Sequence, residues 1–381
     1  MPSSCSTPWR SSDWRSTPRA ATGAGRRPGS GPSTSSADAR PRGDGPLADH
    51  RTTVTELITG LGTLGFDDLD AALAARPAEM VSLSPEQWEL LAELHRGGRY
   101  RQEFAAAWRN GGAFLAARDG LRGRLPLVVE WRGGQRQPGD EPVPADLRID
   151  HVFLVSCKYL SQIVTNSSPA SVFDRLLAGG HGARSADWFA ETAPGAYQAL
   201  YRAAADHAGL AGDLPASVAE LTASDRARLK DALGKGRWPV PLRPAAAAFA
   251  TAVATASADR WRRALAGADA ERVLWRLLRI GSAPYFVLGA APQGSLRLRV
   301  GTAWDWRQHF RIDDVAITPC AREQPVVEWQ VSVARRRSAG TSTVAGHVEV
   351  RWSHGKFAQY PEAKVYLDTP HAQVPGYWPL G

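Results

Sequence analysis

The sequence predicts a protein of the α/β (α+β) class, in which helices cover a mixed β-sheet. Apolar residues recur at helical spacing between residues 52 and 120. The pattern then changes to short β-type runs between residues 125 and 161, and a capped helical segment follows. This order of helix, strands and helix is typical of a sheet core with helices packed on it.

Composition narrows the class of protein further. The chain has 381 residues, of which 43% are hydrophobic, so it can bury a large core and is not disordered throughout. No window reaches the ~20 apolar residues of a membrane span. The three cysteines, Cys5, Cys157 and Cys320, are too far apart for a CxxC zinc site or a disulfide scaffold. They fit a reducing cytoplasm, and the net charge of +8 permits a polyanionic partner.

Residues 1–50 are rich in Ser, Pro, Gly and Arg and contain almost no aliphatic side chains. Such a segment cannot bury enough surface to offset its ordering entropy, so we expect a disordered tail. A start of translation downstream of this segment remains an alternative. We expect three further parts: N-terminal helices plus a core over residues 51–185, a helical region over 186–281, and a β-rich region over 282–381.

The N-terminal helices have clear sequence signals. TTVTELITGLGTLGFDDLDAALAARP has helical periodicity, and the next helix starts at Ser84 as N-cap with Pro85 after it. A glycine pair at residues 97–98 stops that helix. The helix after it carries Glu103, and the glycine pair at 111–112 is a candidate break.

The core that follows reads as a strand at 125–131, one or two strands at 145–161, and a helix at 168–180 that ends at a glycine pair. Residues 186–281 return to helical periodicity. Residues 284–381 contain five β-type runs separated by Gly/Pro turns.

The segment PADLRIDHVFLVSCKY at residues 144–159 concentrates the chemistry. Lys158 ends an apolar run, and residues of equal parity share one face of a strand. The even positions hold Asp146, Asp150, Ser156 and Lys158, whereas Phe153, Val155 and Cys157 form a core face. Burying a lysine amine is costly unless it has a partner or a task, so acids and a lysine are expected to converge here.

This arrangement resembles the PD-(D/E)xK nuclease superfamily, whose fold is the restriction-endonuclease-like fold. In that family an Asp opens one strand, an acid-x-Lys ends the next, a helix follows, and a helical Glu often lies upstream. The resemblance covers residues 99–180 and implies a mixed sheet flanked by helices, with a helical insertion and a β-rich C-terminal part. By position, Asp146 or Asp150 would bind metal, Lys158 would assist the attacking water, and Glu103 would complete the shell.

The resemblance implies an endonuclease that uses Mg²⁺ or Mn²⁺ to hydrolyse double-stranded DNA, of the restriction or phage-defence type. The sequence leaves open whether the protein forms a homodimer. The sequence departs from the family at Ser156, where an acid is usual. Because Ser is a poor direct Mg²⁺ ligand, Glu130 or a backbone carbonyl would have to compensate.

Ser156 also supports the main alternative, a non-catalytic nucleic-acid-binding or scaffold protein that keeps the fold. A strand that ends in a solvated lysine, with Asp146 and Asp150 as loop residues, is a further alternative. A structural protein with no polyanionic partner is another alternative. The chain has no GxGxxG, P-loop, HExxH or GxSxG motif, which argues against common nucleotide sites, zinc proteases and serine hydrolases.

A second polar segment lies near the C-terminus, in GHVEVRWSHGKFAQYPEAKVYLDTPH. A nucleic-acid-contacting ribbon would combine cations for phosphate with Trp352 for stacking, and its cations would be Arg351, His354, Lys356 and Lys364. Two other interpretations remain. Glu362-Ala363-Lys364 could itself be the nuclease motif with Glu349 as the other acid, or these residues could form a turn and solvated strand faces.

Overall fold

The computed structural model describes residues 50–133, 144–175, 187–292 and 294–381. The expected tail, apart from residue 50, part of the segment between the predicted strands, and part of the predicted 168–180 helix lie outside these residues. The segment Asp49–Gly381 forms one compact unit.

The described helices are α1 (Arg51–Leu61), α2 (Leu69–Ala75), α3 (Pro85–Arg96), α4 (Arg101–Ala116), α5 (Trp188–Thr192), α6 (Pro194–His207), α7 (Ala223–Leu233), α8 (Arg243–Ala266), α9 (Ala270–Leu277) and α10 (Ala303–His309). The described strands are β1 (Met80–Val81), β2 (Val129–Trp131), β3 (Leu147–Ile149), β4 (Phe153–Tyr159), β5 (Ile163–Ser167), β6 (Tyr285–Ala291), β7 (Gly294–Val300), β8 (Phe310–Ala321), β9 (Pro325–Arg335), β10 (Thr341–Arg351), β11 (Glu362–Leu367) and β12 (Tyr377–Pro379).

A seven-stranded mixed sheet has the order β1-β2-β3-β4-β6-β7-β12. Strands β2, β3 and β4 form an antiparallel meander, β6 lies parallel to β4, and β7 is antiparallel to β6. The parallel pair needs a long crossover connection, which the helices between residues 187 and 278 supply. The predicted mixed α+β class is therefore confirmed.

Helices α1 and α4 pack on one face of this sheet. Their core contains Leu57, Phe114, Val155 and Phe286, each buried. The two helices approach so closely that a Cβ at Gly111 would lie 2.3 Å from the Thr59 carbonyl oxygen. The glycine pair therefore does not break α4, as the sequence suggested it could. Gly111 instead permits backbone contact between the helices.

A second sheet, with the order β5-β11-β10-β9-β8, is entirely antiparallel. Helix α8 packs on its strands β8 and β9. The larger core lies between this sheet, the helices from α5 to α9 and the mixed sheet, and is rich in aromatic rings such as Trp188, Trp261 and Trp329. The helices between residues 188 and 277 and the strands from β6 onward contribute to this one core.

Local signals set several boundaries. Ser84 and Gln87 form the reciprocal hydrogen bonds of a capping box, with Pro85 in the first turn of α3 as predicted. The strand predicted at 125–131 is shorter, because only Val129–Trp131 pairs with a neighbour. A π-helical turn, Ser171–Arg175, begins the predicted 168–180 helix. Among the described helices, none is long and apolar enough to cross a bilayer.

Candidate active site beside strands β3 and β4

Asp146 lies immediately before β3 and is fixed on both sides by the sheet. Its backbone N–H donates to the Val155 carbonyl at 2.8 Å, and its own carbonyl accepts from Arg132 at 2.9 Å. Its carboxylate Oδ2 accepts from the Cys157 N–H at 2.6 Å and from the Ser156 hydroxyl at 3.2 Å. Asp146 is therefore the predicted acid that the structure brings beside β4.

Lys158 follows Ser156 by two positions in β4, so both side chains point to the same face of the strand. The parallel neighbour opposite Lys158 is Gly289. A Cβ at Gly289 would lie 1.8 Å from the Lys158 carbonyl oxygen. The close approach of β6 to this end of β4 therefore requires glycine.

Glu56 is a buried acid near this part of the sheet that the sequence interpretation missed. It lies on α1 with 7% of its surface exposed, and its Oε2 accepts from the Trp131 indole N–H at 2.7 Å. Burial and the negative charge of Asp146 raise the pKa of Glu56 from 4.5 to about 7, while Trp131 and Lys158 oppose the rise. Glu56 is therefore within electrostatic range of both Asp146 and Lys158. Helix α1 covers the face of β4 that carries Val155 and Cys157, whereas Lys158 alternates onto the other face.

The pKa of the Cys157 thiol is affected by the same two carboxyl groups, Glu56 and Asp146. Burial raises its pKa well above the usual value, and the charges of Asp146 and Glu56 raise it further. The thiol therefore stays protonated and unreactive at neutral pH. The carboxyl groups of Glu56 and Asp146 both act on one short stretch of β4, and Lys158 is a cation that partly offsets them.

Asp150 lies elsewhere, although the sequence gave it the same parity as Lys158. The chain turns at Asp150–Val152, so β3 and β4 form a hairpin. Even-numbered residues before and after the turn therefore need not lie on the same face of the sheet. Val152 is six positions from Lys158 along β4, which separates Asp150 from Lys158 by roughly 20 Å. The structure does not bring these two residues together.

Asp150 has a structural role in that turn. Its backbone has φ +50°, and its Oδ1 accepts from the Leu127 and Val128 N–H groups at 2.8 and 3.0 Å. We expect Asp150→Ala to lower the free energy of unfolding by about 1–3 kcal/mol, because two backbone donors lose their acceptor. Urea denaturation measures this change. A variant as stable as the wild type would show that these hydrogen bonds contribute little.

Glu103 is buried on α4, next to Arg51 of α1. Its Oε1 pairs with Arg51 Nε at 2.9 Å, and the Arg51 guanidinium also lies 5.7 Å from the centre of the Tyr159 ring.

Glu130, the acid that could compensate for Ser156, is bound by Arg148 and lies 3.2 Å from His151 Nδ1. Arg148 holds the pKa of Glu130 below its usual value. Both acids, Glu103 and Glu130, are therefore already paired with arginines.

His371 is a second group that the sequence interpretation missed. It lies in the short 3-10 turn His371–Gln373, and burial together with the positive charge of Lys158 lowers its pKa. The imidazole is therefore neutral at pH 7. It borders a small cavity of about 80 Å³ at the ends of β4 and β6, which Leu160 and Ala290 also line.

The predicted C-terminal cations separate into two places. Arg351, His354 and Lys356 line a cavity of about 720 Å³. Lys364 lies on β11, opposite Glu349 of β10.

The alternative Glu362-x-Lys364 motif lies on the partly exposed face of this hairpin. The Glu362 carboxylate accepts from Ser353 and from Asn166 Nδ2, the latter at 3.4 Å. Glu349 accepts from Arg351 at 3.1 Å and from Tyr366 at 3.3 Å. Each acid of this set already has partners in the sheet.

The carboxylates beside β4 are a donor type that Mg²⁺ accepts. Within the described residues, no group of three or more His, Cys, Asp or Glu side chains is arranged to hold a metal. Mg²⁺ is commonly held by one or two carboxylates, with waters and substrate phosphate completing its shell. Glu56 and Asp146 are two such carboxylates, and burial, followed by the charge of Asp146, raises the pKa of Glu56.

Comparisons of the chain with protein-family models, with curated proteins and with solved structures gave no match.

Proposed function

We propose that this protein is an endonuclease that uses Mg²⁺ or Mn²⁺ to hydrolyse phosphodiester bonds in double-stranded DNA, in a restriction or phage-defence role. The observation that supports this proposal is that Asp146 lies beside Ser156 and Cys157 of β4, with Glu56 and Lys158 within electrostatic range. Two carboxylates and one ammonium group are the chemistry that metal-assisted phosphodiester hydrolysis uses.

The order of the elements supports the same proposal. Helix α4 precedes the antiparallel strands β2, β3 and β4; Asp146 opens β3, Lys158 lies near the end of β4, and a helical turn follows at Ser171–Arg175. This order is the one expected of the restriction-endonuclease-like fold. The upstream helical Glu is Glu56 on α1 in this proposal, in place of Glu103.

In the proposed mechanism, Glu56 and Asp146 hold the metal. When bound, the metal neutralises charge on the scissile phosphate and lowers the pKa of a water molecule. The Lys158 ammonium orients the attacking water and stabilises the negative charge that develops on the phosphate. Trp131 fixes Glu56 by donating to its carboxylate, and Ser156 and the Cys157 N–H fix Asp146.

Ser156 is thus proposed to be a positioning residue. It is 1% exposed and donates to Asp146, so it occupies the family's acidic position without adding a third negative charge. The same observation favours the alternative function, a non-catalytic DNA-binding or scaffold protein. In that case the hydrogen bonds to Asp146 would serve the stability of the hairpin.

Cleavage of a plasmid and of mixed-sequence linear DNA tests the proposal. We expect the purified protein to cut with Mg²⁺ or Mn²⁺ and to stop when EDTA is added. Asp146→Asn should lower the cleavage rate by about 100-fold or more, because it removes a charged metal ligand. Asp150→Asn is the matched control, since it makes the same chemical change in the hairpin turn, keeps the Oδ1 acceptor, and should cut like the wild type.

Equal loss of cleavage in both variants would contradict the assignment of Asp146. Salt-sensitive DNA binding without cleavage, under every metal condition and on DNA of diverse sequence, would favour the alternative function.

A further inference from the structure

A cavity of about 720 Å³ lies among the segment after α7, the start of α8 and the turn between β10 and β11. Its volume falls within the range of roughly 300–1,000 Å³ that is typical of ligand pockets. None of its lining residues belongs to the site formed by Glu56, Asp146 and Lys158. It is therefore a separate candidate for ligand binding.

One side of the cavity is aromatic. Trp352 stacks on the buried Phe249 with ring centres 5.7 Å apart and 11° between the planes, and Trp238 meets Trp352 edge-on at 6.2 Å. Both tryptophans are only partly buried. The Trp352 indole N–H has no acceptor among the described residues. The indole nitrogen is itself buried, so this wall offers planar apolar surface, which suits a heteroaromatic ring.

The rest of the lining is strongly basic. Its only carboxylate among the described residues is Glu323, which pairs with Arg237 at 3.1 Å. The basic side chains are Lys230, Lys235, Arg237, Arg351, Lys356 and, when protonated, His354. Three of these cations already pair with carboxylates: Lys230 with Asp231, Arg237 with Glu323 and Arg351 with Glu349. The remaining excess of positive charge favours an anionic ligand.

Lys356 is the most constrained of these cations. It is 8% exposed, its Nζ donates to the carbonyls of Gly234 and Arg237 at 3.2 and 3.4 Å, and it lies 5.1 Å from the Trp238 ring centre. No carboxylate of the described residues pairs with it. An ammonium group has three donors, so one remains for an anion, which would offset the cost of burying the charge.

We propose that this cavity binds a nucleotide, with the phosphate on Lys356 and the neighbouring cations and the base against Trp238 and Trp352. The nucleotide is either a free molecule or one unit of a nucleic-acid strand. This inference does not depend on the nuclease proposal, because the cavity and the Lys158 site share no residue.

Isothermal titration calorimetry of the full chain tests the inference with four probes: AMP, ATP, a 5′-phosphorylated five-nucleotide DNA, and inorganic pyrophosphate. We expect saturable one-to-one binding of at least one nucleotide probe. Lys356→Met and Trp238→Leu should each weaken binding by about tenfold or more, since each removes a charge-assisted contact or a stacking surface. Lys235→Gln should weaken it less, because Lys235 is exposed.

Arg202→Gln is the control, because it removes one positive charge from an exposed position of α6 outside the cavity. If Lys356→Met does not fold, as judged by circular dichroism, Trp238→Leu and Lys235→Gln together decide the result. Tighter binding of AMP or ATP would identify a free nucleotide as the ligand, and tighter binding of the oligonucleotide would identify a strand.

Three outcomes would overturn the inference: no saturable binding of any nucleotide probe, pyrophosphate binding as tightly as the nucleotides, or unchanged affinity in folded cavity variants. If the wild-type protein binds nucleotide but cuts DNA under no metal condition, the nuclease proposal alone is contradicted. Cleavage without nucleotide binding would contradict this inference alone.

Discussion

Lys158→Ala is expected to reduce metal-dependent DNA cleavage by about 10³-fold or more while DNA binding stays within a fewfold of the wild type. The ammonium group of Lys158 acts on the same environment as Asp146 and Glu56, at the proposed reaction centre. Its contribution to hydrolysis comes chiefly when charge develops on the phosphate. Its removal should therefore lower the rate constant of cleavage much more than affinity.

Single-turnover cleavage with a saturating concentration of enzyme separates these two effects, and a filter-binding assay in Ca²⁺ measures affinity. Lys158→Arg is an informative second variant, because it keeps the charge but replaces a compact ammonium with a planar guanidinium. It should recover less than a tenth of the wild-type rate. Loss of DNA binding in Lys158→Ala, in step with the loss of cleavage, would contradict the role of Lys158 in the chemical step.

Much of the fold could be predicted from local sequence signals. Ser84, Gln87 and Pro85 specify the start of α3, because capping depends on residues within one turn. The β-rich C-terminal part was visible from alternation, since β10 buries Val344, Gly346, Val348 and Val350 on one face. Packing between distant helices was not visible. Gly111 read as a helix breaker because its contact with α1 depends on tertiary structure.

The candidate site was predicted in part, for related reasons. Asp146, Ser156 and Lys158 lie in one short segment, so the periodicity of a strand was enough to relate Ser156 to Lys158. Periodicity could not choose between Asp146 and Asp150, because a hairpin turn separates β3 from β4. The turn places Asp146 beside Ser156 and sends Asp150 to the other end.

Glu56 was missed because α1 reaches the site only through tertiary packing. One signal was present in the sequence: Glu56 is a lone acid in the apolar helical run TVTELITGL. A charged residue on a buried helix face needs a partner or a task, and that rule applies to Glu56 as well as to Lys158. The basic C-terminal segment was also predicted only in part. The sequence could not show that Lys356 lines the cavity whereas Lys364 lies on β11, because this separation arises only on folding.

Glu56→Gln is expected to change how stability depends on pH. In the folded protein Glu56 has a pKa of about 7, whereas in the unfolded chain the value is near 4.5. Between these values the folded protein keeps a proton that the unfolded chain has released, so the free energy of unfolding falls as pH rises. The loss reaches about 3 kcal/mol by pH 7 if the full difference is realised. Above pH 7 both states are ionised and this contribution levels off.

The glutamine variant lacks this titration. Urea denaturation at pH 5 and pH 8, without divalent metal, should show a smaller loss of stability in Glu56→Gln than in the wild type, and the variant should be the more stable protein at pH 8. Glu93→Gln makes the same chemical change at an exposed position of α3 and should keep the wild-type pH profile. Identical profiles for all three proteins would show that Glu56 does not titrate in this range.

Magnesium should reverse the penalty. A cation bound to the ionised carboxylates of Glu56 and Asp146 stabilises the folded state by mass action, by about 2.7 kcal/mol at a concentration 100 times the dissociation constant. We expect Mg²⁺ to raise the wild-type free energy of unfolding at pH 8, to have less effect at pH 5, and to have little effect on Glu56→Gln. Equal stabilisation of wild type and variant would place the metal elsewhere. Because this readout does not require a DNA sequence that the protein recognises, it tests the metal site even where cleavage cannot be observed.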